Sequence, residues 1–164
     1  MAEASDAPRS GPARPASGGV NREQRAHATS VAAYQAFRAR NHRPYVVYAS
    51  IRLGADGMAE SVVAEVFTDL AISWRAALAS AEPAAVAWQI LGRHVDDQLG
   101  RPRRPVRGRV RGIAAAREDA LLLRNRMRLS SERAAEVMGL STADFQVLVS
   151  RERRAGPVTA SAPG

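Results

Sequence analysis

Between residues 58 and 79 the apolar side chains Val62, Val63, Val66, Phe67, Leu70 and Trp74 recur at spacings of one, three and four. On a helix of about 3.6 residues per turn this spacing builds one broad apolar face. Such a face must be covered by another element. No window of the chain alternates convincingly with period two, so the cover is expected to be helical as well.

The neighbouring segments supply it. Thr29 or Ser30 can cap a helix over about 31–40 with Val31, Tyr34 and Phe37 on one stripe. Pro44 suits the first turn of a second helix, "PYVVYASIRLG", and Gly54 ends it. The third helix is the one over 58–79. Pro83 opens a fourth, "PAAVAWQILGRHVDDQLG", with Val86, Ile90 and Leu91 inward and Gly100-Arg101-Pro102 as its stop. Trp74 and Trp88 are expected in the core. The reading is an all-α domain over 29–100.

A second group of helices follows over about 113–127, 131–138 and 142–154. The first carries Ile113, Leu121, Leu122 and Leu123. Ala134 and Ala135 are small enough for close packing, Gly139 supplies a sharp turn, and Ser141 or Thr142 caps the last helix. Phe145, Leu148 and Val149 form its inward stripe. This is the pattern of a tri-helical helix-turn-helix. Its size is near the limit of independent stability for a chain without metals or disulfides, so it is expected to lean on the first domain or on a partner.

Outside these segments, 1–28 and 155–164 lack periodic apolar residues and are expected to be disordered. The first twenty residues show no apolar core behind a basic start, so no secretory signal is expected. There is no run of eighteen apolar residues and no cysteine. The expectation is a cytoplasmic protein without a membrane partner. The net charge is +8, and all 24 basic side chains are arginine. An excess of this size favours a polyanionic partner. The charge is uneven. Residues 101–111, "RPRRPVRGRVR", hold six arginines and no acid, and 101–112 is read as a linker. The third helix instead carries Glu60, Glu65 and Asp69 with no base between 57 and 73.

Catalysis is not expected. His27, His42 and His94 lie apart in sequence, and His94, Asp96 and Asp97 on one helix do not gather as metal ligands. "DDQLG" lacks the third acid of a diphosphate–metal motif. There is no phosphate-cradling glycine loop and no nucleophile elbow. No cofactor is expected.

Taken together, three stretches resemble the extracytoplasmic-function (ECF) sigma factors of bacterial RNA polymerase. "RPYVVYASIRLGADGMAESVVAEVFTDLAISW" is similar to the start of that family's region two, with Ala59-Glu60 and Glu65-x-Phe67 in place. "EPAAVAWQILGRHVDDQLGR" resembles the family's "NPxAWLxRIxRNxxxDxLRR" through Pro83, Trp88, Ile90, Asp97, Leu99 and Arg101. "DALLLRNRMRLSSERAAEVMGLSTADFQVLVSRERR" aligns without gaps to the region-four pattern "EALxLRxxxGLSxxEIAxxLGISxGTVKSRLxRxRR". The resemblance implies that region two binds polymerase and the −10 promoter element, and that region four reads the −35 element.

The departures fall on functional positions. The second acid of "AED" is Ser61, the glutamine before "E-x-F" is Ala64, and "RN" becomes Gly92 and Arg93. In the last helix "GTVKSRL" becomes "ADFQVLV", so the expected phosphate-contacting Lys and Arg are Gln146 and Leu148 and the Ser between them is Val147. Asp144 would repel the DNA backbone.

Two functional readings follow. In the first, the chain is a sigma-like transcription regulator. The resemblance then implies polymerase contact through Glu60, Glu65 and Asp69. DNA contact is then expected through Arg93 and, from their charge, through the linker arginines Arg101, Arg103, Arg104, Arg107 and Arg109. In the last helix the resemblance implies DNA contact through Thr142, Gln146, Ser150, Arg151, Arg153 and Arg154. Gln146 has the two-sided amide that pairs with adenine. In the second reading, a degenerate sigma fold no longer reads promoters and binds protein through Val147 and Leu148. An anti-sigma or other regulatory protein is a further candidate partner.

Overall fold

A computed structural model describes residues 17–80, 82–100 and 112–150. The protein is all-α. Among the described residues there are six helices and no strand. They are α1 (Ser17–Leu53), α2 (Asp56–Ala79), α3 (Pro83–Gln98), α4 (Ile113–Asn125), α5 (Ser131–Met138) and α6 (Thr142–Ser150). None is long and apolar enough to cross a membrane.

The first helix corrects two expectations. Residues 17–28 are helical and not disordered, and residues 1–16 lie outside the described residues. The segment "NREQRAHA" is made largely of good helix formers, which propagate a helix already nucleated downstream without needing an apolar stripe. The described residues up to Ala33 belong to a unit of their own, and the side chains of residues 21–29 are exposed.

The second correction concerns Pro44, which lies inside α1 and does not divide 31–40 from 44–54. A proline there has no N–H to give to the carbonyl four residues back, which belongs to Arg40. That carbonyl instead accepts a hydrogen bond from Arg133 Nη2 at 2.7 Å, from 93 residues away in sequence. Asn41 adds a side-chain bond, donating from Nδ2 to the Phe37 carbonyl at 3.0 Å. The helix therefore continues to Leu53 and ends at Gly54, whose φ is +71°.

From Tyr34 onward the helices form one compact unit. The expected stripe of α2 is buried without exception: Val62, Val63, Val66, Phe67, Leu70 and Trp74. α3 covers it with Ala87, Trp88, Ile90, Leu91 and Val95. α1 inserts Tyr45 and Tyr48 between them, with Tyr45 stacked on Phe67 at 5.7 Å and Tyr48 tilted on Trp88 at 4.6 Å between ring centroids. Each fully buried side chain of this kind contributes about 1.5–3 kcal/mol through removal from water. Burial pushes the Tyr45 phenol well above its ordinary pKa.

The last three helices close around Ala120, Leu123, Ala134, Ala135, Val137, Met138 and Phe145. Leu148 and Val149 of the expected inward stripe are only half-buried, and Ile113 is 65% exposed. Gly139 ends α5 at φ +67°, and the Leu140 N–H reaches back to the Ala135 carbonyl at 2.9 Å. Ser141, not Thr142, caps α6. Its Oγ accepts from the Asp144 N–H at 3.0 Å and donates to Asp144 Oδ2 at 2.7 Å.

Candidate nucleic-acid and protein interface

The acids of α2 lie outside its buried stripe, Glu60 on the flank toward α1 and Asp69 on the flank toward α3. Glu60, Glu65 and Asp69 are each more than half exposed, and each faces a histidine. His42 Nε2 lies 3.8 Å from Glu60 Oε2. His94, projecting from α3, meets Asp69 Oδ2 through Nε2 at 2.9 Å and Glu65 Oε2 through Nδ1 at 3.4 Å. The two carboxylates thus address opposite nitrogens of one ring, which is not a metal-chelating arrangement, and no metal-binding cluster occurs among the described residues. Ile72 continues the same side of α2 and is 82% exposed. It lies two residues from both Leu70 and Trp74, so the helical period alone places it opposite the core. Glu65 and Asp69 therefore border an apolar residue on a surface open to solvent.

α6 presents a different surface. Phe145 is fully buried, which turns Val147 outward to 54% exposure, as the period implies. Ala143, Gln146 and Ser150 are exposed beside it, and Thr142 and Leu148 are half-buried. This outward face carries no basic side chain within 142–150. Asp144 is engaged in capping the helix, which accounts for an acid at this position. Arg93 is exposed on α3. Arg101, Arg103, Arg104, Arg107, Arg109, Arg151, Arg153 and Arg154 lie outside the described residues.

Three further cations were not singled out from sequence. Arg124, Arg126 and Arg128 are exposed where α4 ends and the chain turns into α5. Their i, i+2, i+4 order in "RNRMR" was visible but unremarkable within so arginine-rich a chain.

The third feature is the seam where α4 and α5 meet α1 and α3, and its α1 side carries polar contacts. Tyr48 donates its hydroxyl to Asp119 Oδ1 at 2.6 Å. Arg52 Nη1 binds Glu118 Oε1 at 2.8 Å and lies 3.6 Å from Asp119 Oδ1. The Arg52 and Asp119 side chains are only 6% and 1% exposed. Near the other end of the seam Arg40 grips Glu136 with two nitrogens, Nε to Oε1 and Nη2 to Oε2, the latter at 2.7 Å. Arg133 adds its bond to the Arg40 carbonyl and an ion pair to Glu136 at 2.9 Å. Gly139 lies directly against the backbone of Ala84 and Ala85 at the start of α3. None of the seam residues was a candidate from sequence, because charged residues at helical spacing read as solvated faces.

Hydrogen bonds from Arg40 and then Arg133 draw the Glu136 carboxyl from 4.5 down to about 2. A folded-state pKa below the unfolded one stabilises the native state fully above about 4.5, and that contribution is lost as pH falls toward about 2. Glu136 is 39% exposed, so solvent screening keeps the contribution below about 1 kcal/mol. Thermal unfolding from pH 5 to pH 2 should therefore show the wild type losing more stability than Glu136→Gln. Parallel loss in both proteins would contradict the assignment.

Compared with known proteins, the chain matches no family model, no curated protein and no solved structure.

Proposed function

We propose that the chain is a sigma-like transcription regulator that binds core RNA polymerase and promoter DNA, acting in the cytoplasm by binding and not by catalysis. The observation that carries this reading is the order of two helical groups and the surfaces they leave open. α2 offers an acidic and apolar side suited to a basic helical partner. α4–α6 present an outward α6 beside the exposed arginines Arg124, Arg126 and Arg128, which suit phosphates. The three motif stretches support the same reading through their order and spacing.

The test is co-purification with core RNA polymerase followed by run-off transcription on genomic fragments. The double variant Glu65→Arg/Asp69→Arg should lose polymerase at least tenfold while circular dichroism stays unchanged. Undiminished co-purification would remove polymerase from the proposal.

A second reading is favoured by one observation: the described part of α6 shows an exposed valine and no cation. In it the fold serves a protein partner, such as an anti-sigma or other regulator, through Val147 with Leu148 at its edge. Wild-type protein that binds no promoter fragment, yet loses a co-purifying protein on Val147→Asp, would decide for this reading.

A further inference from the structure

Two kinds of contact join the helices that follow Tyr34. α2 and α3 meet through an apolar core, whereas α4 and α5 are tied to α1 by hydrogen bonds and ion pairs. Seams of the second kind resemble transient interfaces more than cores, because water can replace each contact once the surfaces part.

The bond at the Arg40 end has an unusual origin. Pro44 inside α1 leaves the Arg40 carbonyl without its helical donor, and Arg133 of α5 supplies one at 2.7 Å. The Arg40 side chain holds Glu136 one turn further along α5, and Glu136 holds Arg133 in turn. Arg40, Glu136 and Arg133 thus form a closed set in which two guanidinium groups share one carboxylate. About 18 Å further along α1, Arg52 and Tyr48 hold α4 through Glu118 and Asp119. While the set is closed, Arg133 is directed into the seam and its side chain is 25% exposed. A phosphate would offer both arginines the same oxygen acceptors as the Glu136 carboxylate.

We propose that this set is a releasable catch: it holds α4–α6 closed on α1 and α3, and it withholds Arg133 from polyanions until it opens. The catch stands on the seam alone, and its consequence for nucleic acid rests on the reading given under Proposed function.

The sequence contains no cysteine, so single cysteines placed at the exposed positions Arg75 and Gln146 can carry a pair of spin labels. Wild type should give one short distance. Glu136→Arg sets like charges against Arg40 and Arg133, and should raise the share of a longer distance at least tenfold. Arg40→Glu combined with Glu136→Arg should restore the short distance. Pro44→Ala returns an N–H to the Arg40 carbonyl. It should make α1 a better helix while also increasing the long-distance share. Identical distance distributions in all variants overturn the catch, as does a Glu136→Arg effect that the reversed pair fails to rescue.

A second arm measures affinity for a 30-base-pair duplex at about 0.1 M salt. Glu136→Ala, which removes the carboxylate that both guanidinium groups share and leaves Arg133 held only by the Arg40 carbonyl, should bind several-fold more tightly than wild type. Unchanged affinity overturns the withholding role. No duplex binding by any variant, with the distance shifts intact, overturns the promoter reading and leaves the catch standing.

Discussion

Asp119→Ala is expected to lower the unfolding free energy by about 3 kcal/mol, within the 3–5 kcal/mol typical of breaking a buried charge pair from one side. The Asp119 side chain is 1% exposed and accepts the Tyr48 hydroxyl at 2.6 Å. Without it the phenol loses its acceptor, and a guanidinium that is only 6% exposed loses a charge partner, inside the protein. Arg52 keeps Glu118 at 2.8 Å, which places the loss at the lower end of the range. Asp119→Asn keeps an acceptor and should cost less. Replacing the whole set, as Asp119→Leu with Arg52→Met and Tyr48→Phe, should cost less than Asp119→Ala, because it removes both sides of these contacts together. Urea unfolding of the three proteins checks the order. A loss below about 1 kcal/mol for Asp119→Ala, or a triple variant as unstable as the single, would show that the buried charge is not what the seam depends on. The loss also has a ceiling. If α4–α6 release from α1 before unfolding, Tyr48 and Arg52 regain water, and the cost cannot exceed the free energy that holds the seam closed.

The contrast between this seam and the core explains which parts of the fold could be read from sequence. Val62, Val66, Leu70 and Trp74 declare their burial by period, because apolar groups gain little from any other placement. Pro83, Gly139 and Ser141 mark helix ends because their backbone and side-chain preferences are local. Pro44 misleads for the same reason. The rule that proline ends a helix assumes that the freed carbonyl has no other donor, and here the donor comes from Arg133 on α5. Asp119, in "REDA", has no local mark distinguishing it from Glu118 beside it, yet one is buried and the other exposed. Their difference is set by Tyr48, 71 residues away from Asp119. On the candidate surfaces, Val147 was legible from its offset from Phe145. The histidine partners of Glu60, Glu65 and Asp69 were not, since His42 and His94 reach them from other helices.

Gly139 provides the sharpest separation between a local requirement and a tertiary one. Its φ of +67° alone would make Gly139→Ala cost about 1–2 kcal/mol, as for any side chain forced into the left-handed region. At an ordinary helix end asparagine relieves most of that cost. Here a Cβ would also stand 2.0 Å from the Ala85 amide nitrogen and 2.6 Å from both the Ala84 carbonyl carbon and the Ala85 Cα. These are backbone atoms in the first turn of α3 and cannot rotate aside, so either that turn or the α5–α6 turn must shift. Forcing such a shift adds about 1–3 kcal/mol. Gly139→Ala should therefore cost about 3 kcal/mol or more in total, and Gly139→Asn nearly as much. Gly54 is the control, because it has φ +71° but nothing within 4 Å of its would-be Cβ. Gly54→Ala should cost about 1 kcal/mol and Gly54→Asn only a few tenths. Denaturant unfolding of the four variants decides the matter. If Gly139→Asn is tolerated as well as Gly54→Asn, the α5–α6 turn does not press on α3, and Gly139 serves only its own helix end.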